Sequence, residues 1–237
     1  MITSIKPQSR TRRAVLEHTL ALVLYLSLIC WHFAPVLPSL ASKTPAHMDM
    51  ANNVVELLSS SRSLLRHPST FFTGQHTYPY RYSNALLNSN YLAGLPFYLV
   101  YSVTDNASLA YNVMVLLIFL ANAFCVYLLL RLLTKSWSAG FLAGCVCAFF
   151  PDRFGQLAFY HYQMVFPVAL ALFAWYAFLT RGGVVTLAAF FAIVLLKAIS
   201  VDYVTLFLLV SLIFIVPMGL IDYPSRMRYW PQALLFC

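Results

Sequence analysis

The chain is built from apolar runs of about 20 residues, long enough to cross a bilayer core about 30 Å thick as helices, and no motif in it constrains the fold as strongly. Runs at about Ala14 to Val36, Ser108 to Leu133, Trp137 to Phe150, Gln163 to Leu179, Val184 to Ala198 and Tyr203 to Leu220 read as spanning helices. Hydrophobic residues make up 61% of the sequence and charged residues 9%, a balance that excludes an ordinary soluble domain. Backbone polar groups in lipid must be satisfied inside the chain, which favours helices over irregular segments. The expected fold is therefore all-α: one polytopic transmembrane bundle of about six spanning helices.

The segments between the runs supply the rest of the plan. Residues 1–13 carry Lys6, Arg10, Arg12 and Arg13 and read as a cytoplasmic tail. The apolar stretch after them is too long for a signal peptide and lacks a small-residue cleavage site, so it reads as a retained helix, ended by Pro35 and Pro38. Residues 37–106 form a long outer loop. Within it Met50 to Leu65 has a helical pattern, with Val54, Leu57 and Leu58 interrupted by Glu56 and Arg62, which suits a helix on the membrane surface. Residues 67–90 are rich in His, Tyr, Pro and Asn and suit an interfacial loop. Tyr91 to Val103 holds Gly94 and Pro96 and is too short to span comfortably, which makes it a re-entrant or interfacial helix.

Charge tests that count. With the N-terminus inside, Arg131, Lys135, Arg181, Arg226 and Arg228 join the basic tail on the inner face, as cytoplasmic segments require. Asp49, Glu56, Asp105, Asp152 and Asp202 then lie outside. A crossing at 91–103 would send Arg131 and Lys135 outside and break the pattern. Residues 107–220 hold the five further spans, and 221–237 return as a second inner tail. The net charge of +8 does not point to nucleic acid, because the basic residues are scattered at helix ends. The five cysteines fall almost entirely in apolar runs, where they act as small hydrophobes, and form no disulfide framework or zinc pattern.

This topology brings Asp49, Arg81, Asp152, Arg153, His161 and Asp202 to one side of the membrane. Asp49 suits a general base on an acceptor hydroxyl or a ligand for a divalent ion, though its place before a helical run, with Asn52 and Asn53 following, reads more simply as an N-cap. Arg153 presents the planar fork that binds phosphate, with Asp152 beside it as a pairing partner or a cap; a plain loop salt bridge is the alternative. His161, next to Gln163, suits a proton donor to an anionic leaving group, a metal ligand or an interfacial histidine bonded to backbone. Lys197 and Asp202 interrupt one run too long for a single helix, so a tight outer turn is expected near 198–203, with Lys197 snorkelling outward or paired with Asp202.

The layout resembles the bacterial multi-pass membrane glycosyltransferases of the GT-C class. The resemblance rests on Asp49 soon after the first helix, the stretch around Val54 to Pro68, the aromatic segment Phe71 to Tyr82, Ser108 to Asn112 opening a helix that closes at Tyr127 to Leu133, and Phe150 to Leu157 followed by His161 to Gln163 and Pro167. It covers roughly residues 14 to 220. It implies a polyprenyl-phosphate sugar donor and an acceptor on the outer face of the bacterial inner membrane. Asp49 would be the catalytic or metal-associated acid, with magnesium or manganese as the cation. His161 would assist at the donor phosphate, and Arg153, Asp152, Arg81 and Gln163 would bind substrate. The chain stops after about six helices where the class has ten or more, so the resemblance also implies a truncated form that needs a C-terminal half or a partner subunit. The competing expectation is a non-catalytic membrane subunit or transporter-like protein.

Overall fold

The computed structural model describes residues 7–45, 50–66, 91–200, 203–223 and 225. Among them every regular element is helical: α1 (Pro7–His32), a 3-10 turn (Leu37–Ser39), α2 (Met50–Arg66), α3 (Tyr91–Thr104), α4 (Ala107–Thr134), α5 (Trp137–Ala148), α6 (Pro151–Gly155), α7 (Tyr160–Gln163), α8 (Phe166–Arg181), α9 (Val184–Ile199) and α10 (Tyr203–Asp222). The all-α bundle is as expected. The interfacial loop at 67–90, Asp49, Arg81 and Asp202 lie outside the described residues.

Among the described residues four segments are long and apolar enough to cross a membrane: Arg12–His32, Ala107–Thr134, Tyr160–Arg181 and Val204–Asp222. Tyr91–Thr104 and Val184–Ile199 are apolar but shorter. The span expected at 137–150 is the weakest. Its helix has 12 residues, about 18 Å of rise, and then breaks at Phe149 and Phe150 before the short α6. A second break at Met164 and Val165 separates α7 from α8.

Helix α4 is the central post. Asn106 caps its start, accepting from the Leu109 N–H at 2.9 Å, and its buried residues run from Ala110 to Tyr127. Around its N-terminal half, Leu57 of α2, Phe97 of α3, Tyr111 and Phe119 of α4 and Tyr160 of α7 pack in one apolar cluster. Helix α2 buries Met50, Asn53, Leu57, Ser60 and Ser61, a stripe of helical period laid against α3 at Gly94. Along the other half of α4, Tyr25, Ala123, Tyr127 and Ala148 join α1 and α5 to it. Trp175, Phe178, Leu187, Phe190 and Leu208 form a further cluster among α8, α9 and α10.

Helix α1 runs antiparallel to α4. Glu17 pairs with Arg131, His18 Nδ1 meets the Tyr127 hydroxyl at 3.0 Å, and Phe33 packs edge-on against Phe119 at 5.3 Å. The bundle thus has a proximal end, where α1 starts and α4 turns into α5, and a distal end, where α1 stops and α2 begins. At the distal end Asn112 holds the chain after α1, donating to the carbonyls of Leu40 at 2.8 Å and Lys43 at 2.6 Å.

One expectation is corrected here. Lys197 does not snorkel outward: it is fully buried near the end of α9, where its carbonyl accepts from the Thr205 hydroxyl at 3.0 Å, while the alternative pairing with Asp202 lies outside the described residues. Thr205 donates to the Ser200 carbonyl as well, at 2.7 Å, tying the start of α10 to the end of α9.

Candidate functional site

Breaking a helix inside an apolar bundle leaves orphan carbonyls at one end and orphan N–H groups at the next start. The two breaks flanking α6 and α7 therefore dictate what the nearby polar side chains must do. Arg153 Nε donates to the Cys147 carbonyl at 2.5 Å, and its NH1 donates to the Gln163 carbonyl at 2.9 Å. Gln163, nearly fully buried, returns its amide to the carbonyls of Arg153 at 2.9 Å and Gln156 at 3.1 Å. Asn122, half-way along α4, closes the other break: its Nδ2 donates to the Gln163 carbonyl at 2.6 Å and its Oδ1 accepts from the N–H groups of Val165 and Phe166.

The structure thus gathers Arg153, Gln163 and Asp152 into one hydrogen-bonded chain. Asp152 does not pair with Arg153; it accepts from Gln156 Nε2 at 2.9 Å and is exposed. His161 lies in α7, buried among Phe159, Tyr160 and Tyr162, with the Tyr162 ring centroid 4.3 Å away. The α6 turn is held from outside by aromatic packing: His32 lies over Phe154 at 4.4 Å, and Phe154 also meets Phe33 and Phe119. Beyond it, Tyr111 and Asn53 both donate to the Ala158 carbonyl, at 2.8 and 2.7 Å.

Open space lies at the distal end. A cavity of about 250 Å³ is walled by Phe33, Val36, Leu40, Val115 and Leu116, with Lys43 and Asn112 among the polar groups lining it. A second space of about 510 Å³ lies between Met50, Val54 and Val55 of α2 and the start of α4 at Ala107 and Ser108. Thr44 lines both. The first cavity is mostly apolar with a cation among its lining residues, the chemistry that takes a hydrocarbon chain carrying an anionic head.

Lys43 and Asn122 are the residues that sequence reasoning passed over. Asn122 had a signal, since an amide in the middle of a long apolar helix is expensive unless it is bonded. Lys43 had a weaker one: a lone cation in Ser42-Lys43-Thr44, six residues before Asp49. Among the described residues no group of three or more His, Cys, Asp or Glu could hold a metal ion. No known protein family, curated protein or solved structure matches the chain.

Proposed function

We propose that the chain is a membrane glycosyltransferase that moves a sugar from a polyprenyl-phosphate-linked donor to an acceptor at the distal face of the bundle. The observation carrying this reading is the apolar distal cavity with Lys43 in its lining, in the segment that leads to Asp49. In the proposed complex Val36, Leu40, Val115 and Leu116 take the first isoprene units, and the Lys43 ammonium pairs with the donor phosphate. Stabilising charge on the departing phosphate is the main device such a reaction offers a protein. Asp49 takes the proton from the acceptor hydroxyl as the new glycosidic bond forms, and the lipid phosphate leaves with the bonding pair. A magnesium or manganese ion, if one is used, would be held at Asp49 and would supply charge stabilisation at the departing phosphate.

The distal face is read as the outer face of a bacterial inner membrane, with the N-terminus in the cytoplasm. Support comes from Arg13, Arg131, Lys135 and Arg181, which sit at helix ends on the proximal side.

A second reading, a non-catalytic or transporter-like membrane subunit, is favoured by one observation: Arg153, Gln163 and Asn122 are committed to backbone groups of the chain itself. The two readings part in one assay. Purified chain in nanodiscs is given a polyprenyl-phosphate-linked sugar and an acceptor, with Asp49→Asn alongside. Turnover that disappears in Asp49→Asn while donor binding persists supports the transferase. Folded protein that neither binds nor turns over the donor supports the subunit.

A further inference from the structure

At the proximal end, away from the distal cavity by about 28 Å along α4 between Asn112 and Arg131, α1, α4 and α5 meet around a recess of about 300 Å³. It is lined by Arg13, Glu17, Arg131, Lys135 and Trp137 together with Ala14. The charges do not balance. Glu17 is shared between two guanidinium groups, accepting from Arg13 Nε at 3.0 Å and from Arg131 on its other oxygen. Lys135 adds a third cation, so three positive groups surround one carboxylate. The Arg131 Nε is buried with no hydrogen-bond partner among the described residues.

Two features show that the recess is built rather than incidental. Lys135 ends α4 in the left-handed conformation, φ 58°, a position where glycine is the usual residue. A cation occupies it instead. Trp137 Nε1 donates to the Glu17 carbonyl at 3.1 Å, pinning the start of α5 to α1 with an indole, a side chain suited to the headgroup level. Beside the recess the flank is apolar and open: Leu16 and Leu20, which share the side of α1 that carries Arg13 and Glu17, are 69% and 47% exposed. Cationic recess and apolar flank together match an amphiphile better than a free anion.

We infer that this recess binds the phosphodiester headgroup of an anionic phospholipid, with its acyl chains along Leu16 and Leu20. Arg13 and Lys135 grip the phosphate oxygens from the rim, and Arg131, held in place by Glu17, supplies the inner charge. The site stands independently of the distal cavity and of any transferase activity.

The test is equilibrium binding of fluorescent phosphatidylglycerol to the purified full chain in neutral detergent. Arg13→Gln and Lys135→Gln, both at exposed positions, are each expected to weaken binding about fivefold, the effect of one basic residue on an anionic lipid. Arg181→Gln removes a charge from the same end of the bundle outside the recess and is expected to leave the affinity unchanged. Equal losses in all three variants would show diffuse surface attraction and overturn the inference. So would displacement of the lipid by inorganic phosphate, which would make the recess a free-anion site.

Discussion

Asn122 caps a helix that begins 44 residues away from it: its Oδ1 accepts from the Phe166 N–H at 2.7 Å and from the Val165 N–H at 3.0 Å. The same amide donates to the Gln163 carbonyl, so one side chain on the central helix satisfies both sides of a break. Asn122→Leu keeps the shape but strands buried donors and an acceptor, at a cost of about 3 kcal/mol. That corresponds to a fall in the thermal midpoint of about 6–12 °C for a chain of this size, measurable by thermal unfolding in detergent. A fall of under about 2 °C would mean the break is satisfied in another way.

Arg153 works as a fork. It reaches the Cys147 carbonyl and the Gln163 carbonyl at once, from two nitrogens fixed in one plane. Lysine offers a single ammonium and cannot hold both. Arg153→Lys is therefore expected to lower stability by about 1–3 kcal/mol, close to the effect of Arg153→Gln. Donor affinity, where it can be measured, stays near the wild-type value. Preserved stability with lost donor binding would instead restore Arg153 to the phosphate.

Two glycines make a matched pair. A Cβ at Gly144 would meet the Tyr25 hydroxyl and lie 2.5 Å from the Ala123 carbonyl, at the junction of α1, α4 and α5. A Cβ at Gly155 would meet nothing within 4 Å. Gly144→Ala is expected to cost about 1–3 kcal/mol by overpacking, and Gly155→Ala to be neutral or stabilising by up to about 1 kcal/mol. Side-by-side thermal melts of the two variants decide it, and similar midpoints would contradict the packing described at Tyr25.

Much of the architecture was legible in the residues. The run expected at Ser108 to Leu133 is Ala107–Thr134, and the helix expected at Met50 to Leu65 is Met50–Arg66. Such segments are decided locally, by hydropathy and period. The first break was legible, since the span was expected to end at Phe150; the second, inside the span expected from Gln163, was not, and neither was what holds the two, because what stabilises them is remote. Nothing near Met164 in sequence announces that Asn122 will supply the missing bonds, and nothing near Arg153 shows that the Cys147 carbonyl will be left open beside it. The outward course expected for Lys197 was wrong for a related reason: a lysine in an apolar run is expected to reach water, and only the packing of α9 against its neighbours shows that it is enclosed. At the candidate site the groups named from the sequence are split. Arg153 and Gln163 meet, His161 is buried in aromatic rings, and the cavity lies instead beside Lys43, a cation whose importance depends on Asn112 holding its backbone in place.

The central claim is that a polyprenyl phosphate enters the distal cavity, and photolabelling tests it most directly. A polyprenyl phosphate carrying a photoreactive group in its first isoprene unit is irradiated with the chain in nanodiscs, and the labelled peptides are mapped. The prediction is labelling concentrated in residues 33–45 and 112–116, the cavity walls, and strongly reduced in Lys43→Gln. Labels spread evenly along the lipid-facing sides of α1 and α10, unchanged by Lys43→Gln, would contradict it.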